Sequence, residues 1–214
     1  MSQEGGIVLL VGLITTFFSL GRWGVKGVPR ENESKLSPKK EAFGIWSLIF
    51  ILTAFKCLNA LANKNSNEEF LALVLLGISY VCSAIWVYRF SNFDYAFASI
   101  AISLAALTAL VGHFLEKTPE TIVDWVSQSS GGLLAGWLCI ASAISIDYAV
   151  ISREFHETVP IVLTLLLSTL SIYTKKPLLT LPLVWASIFA KYNLLLSLFT
   201  SVSLSVISFY NVLF

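Results

Sequence analysis

Two charged side chains interrupt long apolar runs of this chain. Lys56 sits in Phe55-Lys56-Cys57-Leu58-Asn59, and Asp147 in Ser145-Ile146-Asp147-Tyr148. A charge at membrane depth is costly, so it usually faces a bundle interior or a water-filled cavity. There it can hold a ligand or an ion, or form a structural ion pair, and both readings stay open for these two residues. The expected helix order places Lys56 in the same leaflet as His113 and Glu116. It places Asp147 with Arg89 and Lys191, so Lys56 and Asp147 are not expected to pair with each other. Counting back from Asp147, residues Ala143, Ile140 and Gly136 return to nearly the same helical angle. That stripe is expected to face protein, with Asp147 protonated or paired to Arg89 or Lys191.

The remaining reactive side chains do not assemble into a catalytic pattern. His113 and His156 fall near helix ends in opposite leaflets, and no HExxH, P-loop or Ser/His/Asp set occurs. Cys57, Cys82 and Cys139 are far apart in apolar stretches and read as buried small residues. No metal site and no enzymatic activity is expected. The net charge of +1 offers no basic face for nucleic acid.

Tryptophan is more informative. Trp46, Trp86, Trp137 and Trp185 each fall on a different expected helix. Four indoles on four helices can line one apolar cavity suited to a flat hydrophobic ligand, or they can serve as interfacial anchors and core. Small residues recur at four-residue spacing. Ala101, Ala105 and Ala109 form one stripe, and Gly132 and Gly136 form a GxxxG pair. Such positions let helix backbones approach, so they read as packing seams. The GxxxG pair makes its helix either central or a dimer face.

The elements carrying these residues are transmembrane helices. Of the 214 residues 56% are hydrophobic and 13% charged, whereas soluble domains carry about 25% charged residues. In hydrocarbon every backbone group must be satisfied internally, which makes uncharged stretches helices. With roughly 20 residues needed to span, helices are expected at 6–23, 42–62, 70–88, 95–115, 131–152 and 158–174. Polar connections are expected at 24–41 and 116–130. The stretch 177–190 is short and the last run is 192–214. An all-α polytopic bundle of eight helices is preferred, with seven and a re-entrant 177–190 as the alternative. The first helix reads as uncleaved, and residues 1–214 as a single transmembrane domain. One side would carry Arg22, Lys26, Arg30, Lys35, Lys39, Lys40, Arg89, Arg153 and Lys191, the other Lys64, Lys117, Lys175 and Lys176. The positive-inside rule then puts the 24–41 loop on the cytoplasmic side or its organellar equivalent, in a cell membrane or an organellar one such as the mitochondrial.

The segments around the tryptophans carry a family resemblance. Phe43-Gly44-Ile45-Trp46-Ser47-Leu48-Ile49-Phe50 resembles the F-x-I-W-x-x-I-Y signature of the tryptophan-rich sensory protein family, the translocator protein (peripheral benzodiazepine receptor) superfamily. Ser83-Ala84-Ile85-Trp86 resembles its N-x-x-W, Leu134-Ala135-Gly136-Trp137 with Ala141 its Y-L-G-W-x-x-x-A, and Leu183-Val184-Trp185-Ala186 its V-x-I-W-A. Order and spacing agree over about residues 42–190, closest to longer members that add helices to a five-helix core. The departures are Ser83 and Ser145 at two family asparagines, Phe50 at a tyrosine, and no proline near Ser130.

The resemblance implies a binding or sensory membrane protein. Its ligand would be a flat molecule such as a porphyrin or sterol, held by Trp46, Trp86, Trp137 and Trp185. The departures remove polar groups from that cavity and motivate an alternative, a non-catalytic accessory subunit of a larger membrane complex. Its partners would then be the lipid bilayer and other membrane proteins, or a second copy.

Overall fold

The computed structural model describes residues 2–23, 40–62, 67–117, 119–149 and 158–189. Among them are seven α-helices and no strand: α1 Ser2–Arg22, α2 Ile45–Ala62, α3 Asn67–Ser91, α4 Tyr95–Leu115, α5 Ile122–Ala149, α6 Thr158–Thr174 and α7 Leu181–Ile188. Short 3-10 turns, Lys40–Gly44 and Pro177–Leu179, lead into α2 and α7. The helices α1 to α5 are long and apolar enough to cross a membrane. Seven are seen, and the run 192–214 lies outside the described residues.

The five long helices close into a ring. α1 packs on α2, α2 on α5, α5 on α4, α4 on α3, and α3 returns to α1. Exposed apolar rows such as Phe17, Phe18, Ile51, Leu58, Ile100 and Leu107 face outward, as lipid-facing positions do. α5 differs from its neighbours: 78% of its most apolar stretch is buried, against at most 56% for the other four. The addition of the α6–α7 segment, which covers its outer side, accounts for this.

Close approach at two crossings depends on glycine. A Cβ on Gly12 of α1 would lie 2.5 Å from the Gly77 carbonyl oxygen of α3, and one on Gly77 would lie 2.9 Å from the Val8 carbonyl oxygen. The Thr16 hydroxyl donates across the same crossing to the Tyr80 carbonyl. The α5 GxxxG pair seats the entry to α7. A Cβ on Gly132 would meet Leu178 and His113, and one on Gly136 would collide with the Leu179 carbonyl oxygen and Pro182. The seam is filled from within the chain, as expected of a central helix. The Ala101, Ala105 and Ala109 stripe is buried, and beside it the Ser142 hydroxyl ties α5 to the Ile102 carbonyl of α4 at 3.1 Å.

Several boundaries differ from expectation: α1 starts at Ser2 rather than at 6, α2 at Ile45 rather than at 42, and α3 runs Asn67–Ser91 rather than 70–88. α5 begins at Ile122, inside the expected 116–130 connection. Thr121 and Asp124 cap it reciprocally: the Asp124 carboxylate accepts from the Thr121 amide at 3.0 Å, and the Thr121 hydroxyl accepts from the Asp124 amide at 3.1 Å. That Thr-x-x-Asp box satisfies amide donors that a helix start leaves open. Further on, α7 has eight residues, about 12 Å of helix. Pro177 and Pro182, which lack amide donors, break the segment into a 3-10 turn and a short helix. Between them the two do not span a bilayer.

Candidate functional site

Three of the four tryptophans lie within the ring. Trp46 on α2, Trp86 on α3 and Trp137 on α5 are 4%, 4% and 1% exposed. α2 presents Trp46, Ile49, Thr53 and Lys56 inward at helical spacing. Trp46 packs on Phe50 at a centroid distance of 5.4 Å, and Phe43, one turn earlier, meets Trp137 edge-on at 5.7 Å. The Trp46 and Trp137 indole N–H groups are buried and have no hydrogen-bond partner among the described residues. Trp86 instead donates to the Ser145 hydroxyl at 2.9 Å. Trp185, on α7, is 36% exposed and donates to the Ala42 carbonyl at 2.7 Å, which ties α7 to the turn before α2.

The two positions where the resemblance leads one to expect asparagine behave differently. Ser145 accepts the Trp86 indole. Ser83 is fully buried and donates to the Ser79 carbonyl of its own helix, so it offers nothing across the ring. Midway down the interior the Tyr80 and Thr53 hydroxyls are 2.6 Å apart.

At the other end of the ring is a charged cluster. Lys56 donates to Glu116, which lies just beyond α4, and the two side chains are 7% and 4% exposed. The second Glu116 oxygen lies 2.7 Å from His113 Nδ1. A carboxylate only accepts, so Nδ1 carries the proton. His113 Nε2 is buried without a partner among the described residues, beside a space of about 20 Å³ that has room for one water. Burial alone would raise the Glu116 pKa, but the Lys56 and His113 interactions more than offset it and hold the carboxyl at about 2.

Lys176, expected on the same side as Lys117, completes the cluster through a contact that spacing alone does not show. α6 ends with Lys175 in the left-handed region at φ 55, with the Lys175 amide on the Ile172 carbonyl and the Lys176 amide on the Ser171 carbonyl. This is the Schellman termination of a helix. It turns the chain so that the Lys176 ammonium donates to the His113 and Glu116 carbonyls, closing the α4 end. Burial pushes the Lys176 pKa down and Glu116 partly restores it.

Asp147 is half-buried near the end of α5, next to Tyr148, which stacks on Tyr95 at 5.3 Å. Of its two expected partners, Arg89 pairs with Asp94 at 3.2 Å, and Lys191 lies outside the described residues. No group of three or more potential metal ligands occurs among the described residues.

None of the curated proteins and none of the solved structures matches this chain. Residues 6–213 match the family described as TSPO-like protein. That match takes in the closed five-helix ring and all four tryptophans, and the apolar helices fit the bilayer setting of the fold; the chain is an integral membrane protein and belongs to the TSPO-like family.

Proposed function

We propose that this protein binds a flat hydrophobic small molecule, of tetrapyrrole or sterol class, between α2 and α5. The observation carrying the reading is the pair of buried indole donors without acceptors, Trp46 on one helix and Trp137 on the other. A buried donor left unsatisfied costs about 1–3 kcal/mol, so native structures rarely keep one without a reason. A ligand acceptor between the two indoles would recover that cost, and the Phe43 and Phe50 rings would form its walls.

The test is tryptophan fluorescence in nanodiscs with titrated protoporphyrin. Saturable quenching that weakens in both Trp46→Phe and Trp137→Phe is expected. Quenching that is absent, or unchanged in both variants, sinks the reading.

A second reading is favoured by the closed packing around the other two indoles. Trp86 is satisfied by Ser145 and Trp185 by Ala42, so both act as internal ties. A protein so packed suits a non-catalytic accessory subunit of a larger membrane complex. Purification in mild detergent separates the two: a stoichiometric assembly with other membrane proteins supports the subunit, and a homogeneous monomer that binds porphyrin refutes it.

A further inference from the structure

A polar cavity of about 270 Å³ opens at the Lys56 end of the ring, between the end of α2, the start of α3 and the start of α5. It is separate from the indole pair. Trp46 and Lys56 are ten residues apart on α2, about 15 Å along its axis. Lys56 and Glu116 form the floor, and Glu69, Asp124 and Lys117 stand around it. Both signs of charge are thus built into a space bounded by lipid-facing side chains: Val123, which lines it, is 49% exposed, and the adjacent Ile122 is 82% exposed.

We propose that this cavity holds the headgroup of an ethanolamine phospholipid. Depth, charge and the absence of aromatics each narrow the choice. Lys56 lies six residues inside the end of α2, about 9 Å down, where the headgroup layer, roughly 5–8 Å thick per leaflet, meets the acyl region. The Lys56 ammonium has three donors. One goes to Glu116, and another only grazes the Ser127 carbonyl at 3.5 Å. A phosphate oxygen entering the cavity meets the remaining donor, with Lys117 as a second cation.

Glu69 and Asp124 disfavour a purely anionic headgroup and accept from a primary ammonium. Asn59 and Gln128 add amide donors for the ester oxygens. A quaternary choline is held by aromatic faces, and none of the residues lining the cavity is aromatic. A porphyrin or sterol has no use for so many charges. The acyl chains would leave past Val123 and Ile122.

The experiment is native mass spectrometry of the full chain released from nanodiscs of equal phosphatidylethanolamine and phosphatidylcholine. Retained lipid should be enriched in the ethanolamine form. Glu69→Gln, which removes an acceptor for the primary ammonium, should lower that enrichment about tenfold, the loss of one charge-assisted hydrogen bond, whereas Lys117→Gln, which faces the phosphate that both lipids share, should lower retention of both and leave the enrichment unchanged. Glu69 is half-buried and Lys117 exposed, and neither is a member of the buried ion pair, so folding should survive. Free phosphoethanolamine should displace the retained lipid. Equal retention of the two lipids, enrichment unchanged in Glu69→Gln, or no displacement by phosphoethanolamine would overturn the assignment. Porphyrin quenching should be unaffected by either rim variant, so this proposal and the indole-site proposal fail separately.

Discussion

Lys56 of α2 donates to Glu116, sixty residues further along the chain, and the two buried side chains tie the end of one spanning helix to the connection after another. Desolvating two charges is expensive, and their attraction compensates only while both are present. Lys56→Met and Glu116→Gln should therefore each destabilise the bundle by about 3–5 kcal/mol, since each strands a buried partner. The double variant Lys56→Met/Glu116→Gln should lie close to the parent. Thermal unfolding of all four proteins in one detergent checks this. Additive losses in the double variant would mean that the two residues act independently.

The same pair sets an acid limit. Glu116 has its carboxyl at about 2 in the folded protein, against an ordinary value of 4.5. A carboxyl depressed on folding contributes stability that is fully present above its unfolded value and is lost as pH falls through the folded one. Glu116 should therefore add no slope above about pH 5, and stability should fall between about 4.5 and about 2. In the double variant that acid limb should shrink. An identical limb in parent and double variant, measured by unfolding temperature against pH, would assign it to other carboxyls.

Glycine at the α1–α3 crossing makes a third prediction. A methyl group on Gly12 would press on the Gly77 carbonyl, a backbone group, with no flexible side chain to yield. Gly12→Ala should cost about 1–3 kcal/mol, as overpacked cores do. Gly21 sits on the same helix with nothing within 4 Å of its would-be Cβ. Gly21→Ala should be neutral, or stabilising by up to about 1 kcal/mol through helix propensity. Unfolding temperatures of the two variants, side by side, decide the matter; equal effects would remove the close approach as the cause.

How much of this was readable in the sequence follows from how each feature is encoded. α4 and α6 match their expected limits because charges or turn residues bracket uninterrupted apolar runs. The start of α5 was hidden because Thr121–Ser130 is polar in composition. Its signal was the Thr121…Asp124 capping spacing, which hydropathy does not register. Gly132 and Gly136 were legible as a seam, but a seam does not name what fills it, and the chain folds its own Leu178–Pro182 stretch there. Gly12 and Gly77 are single glycines on separate helices and leave no periodic trace. Lys56 could be placed in the leaflet of His113 and Glu116 by counting residues. Counting also puts Lys176 on that side, with Lys117; its contact with the His113 and Glu116 carbonyls is not legible, because it depends on a left-handed lysine ending α6.

The last prediction concerns Trp86 and Ser145. The Ser145 hydroxyl is the acceptor for the Trp86 indole across the α3–α5 gap, and both are buried. Ser145→Ala leaves that N–H stranded and should cost about 1–3 kcal/mol. Ser145→Asn supplies a carbonyl oxygen and should recover part of this, provided the larger amide fits beside Trp86. Trp86→Phe removes the donor together with packing volume, so its effect alone is ambiguous. Adding Ser145→Ala to Trp86→Phe should then cost nearly nothing, because no donor remains to be stranded. A double-mutant cycle on thermal stability in one detergent gives the coupling. A coupling near zero would show that the hydroxyl and the indole do not depend on each other, and Trp86 would then be held by Phe90 and its other ring contacts alone.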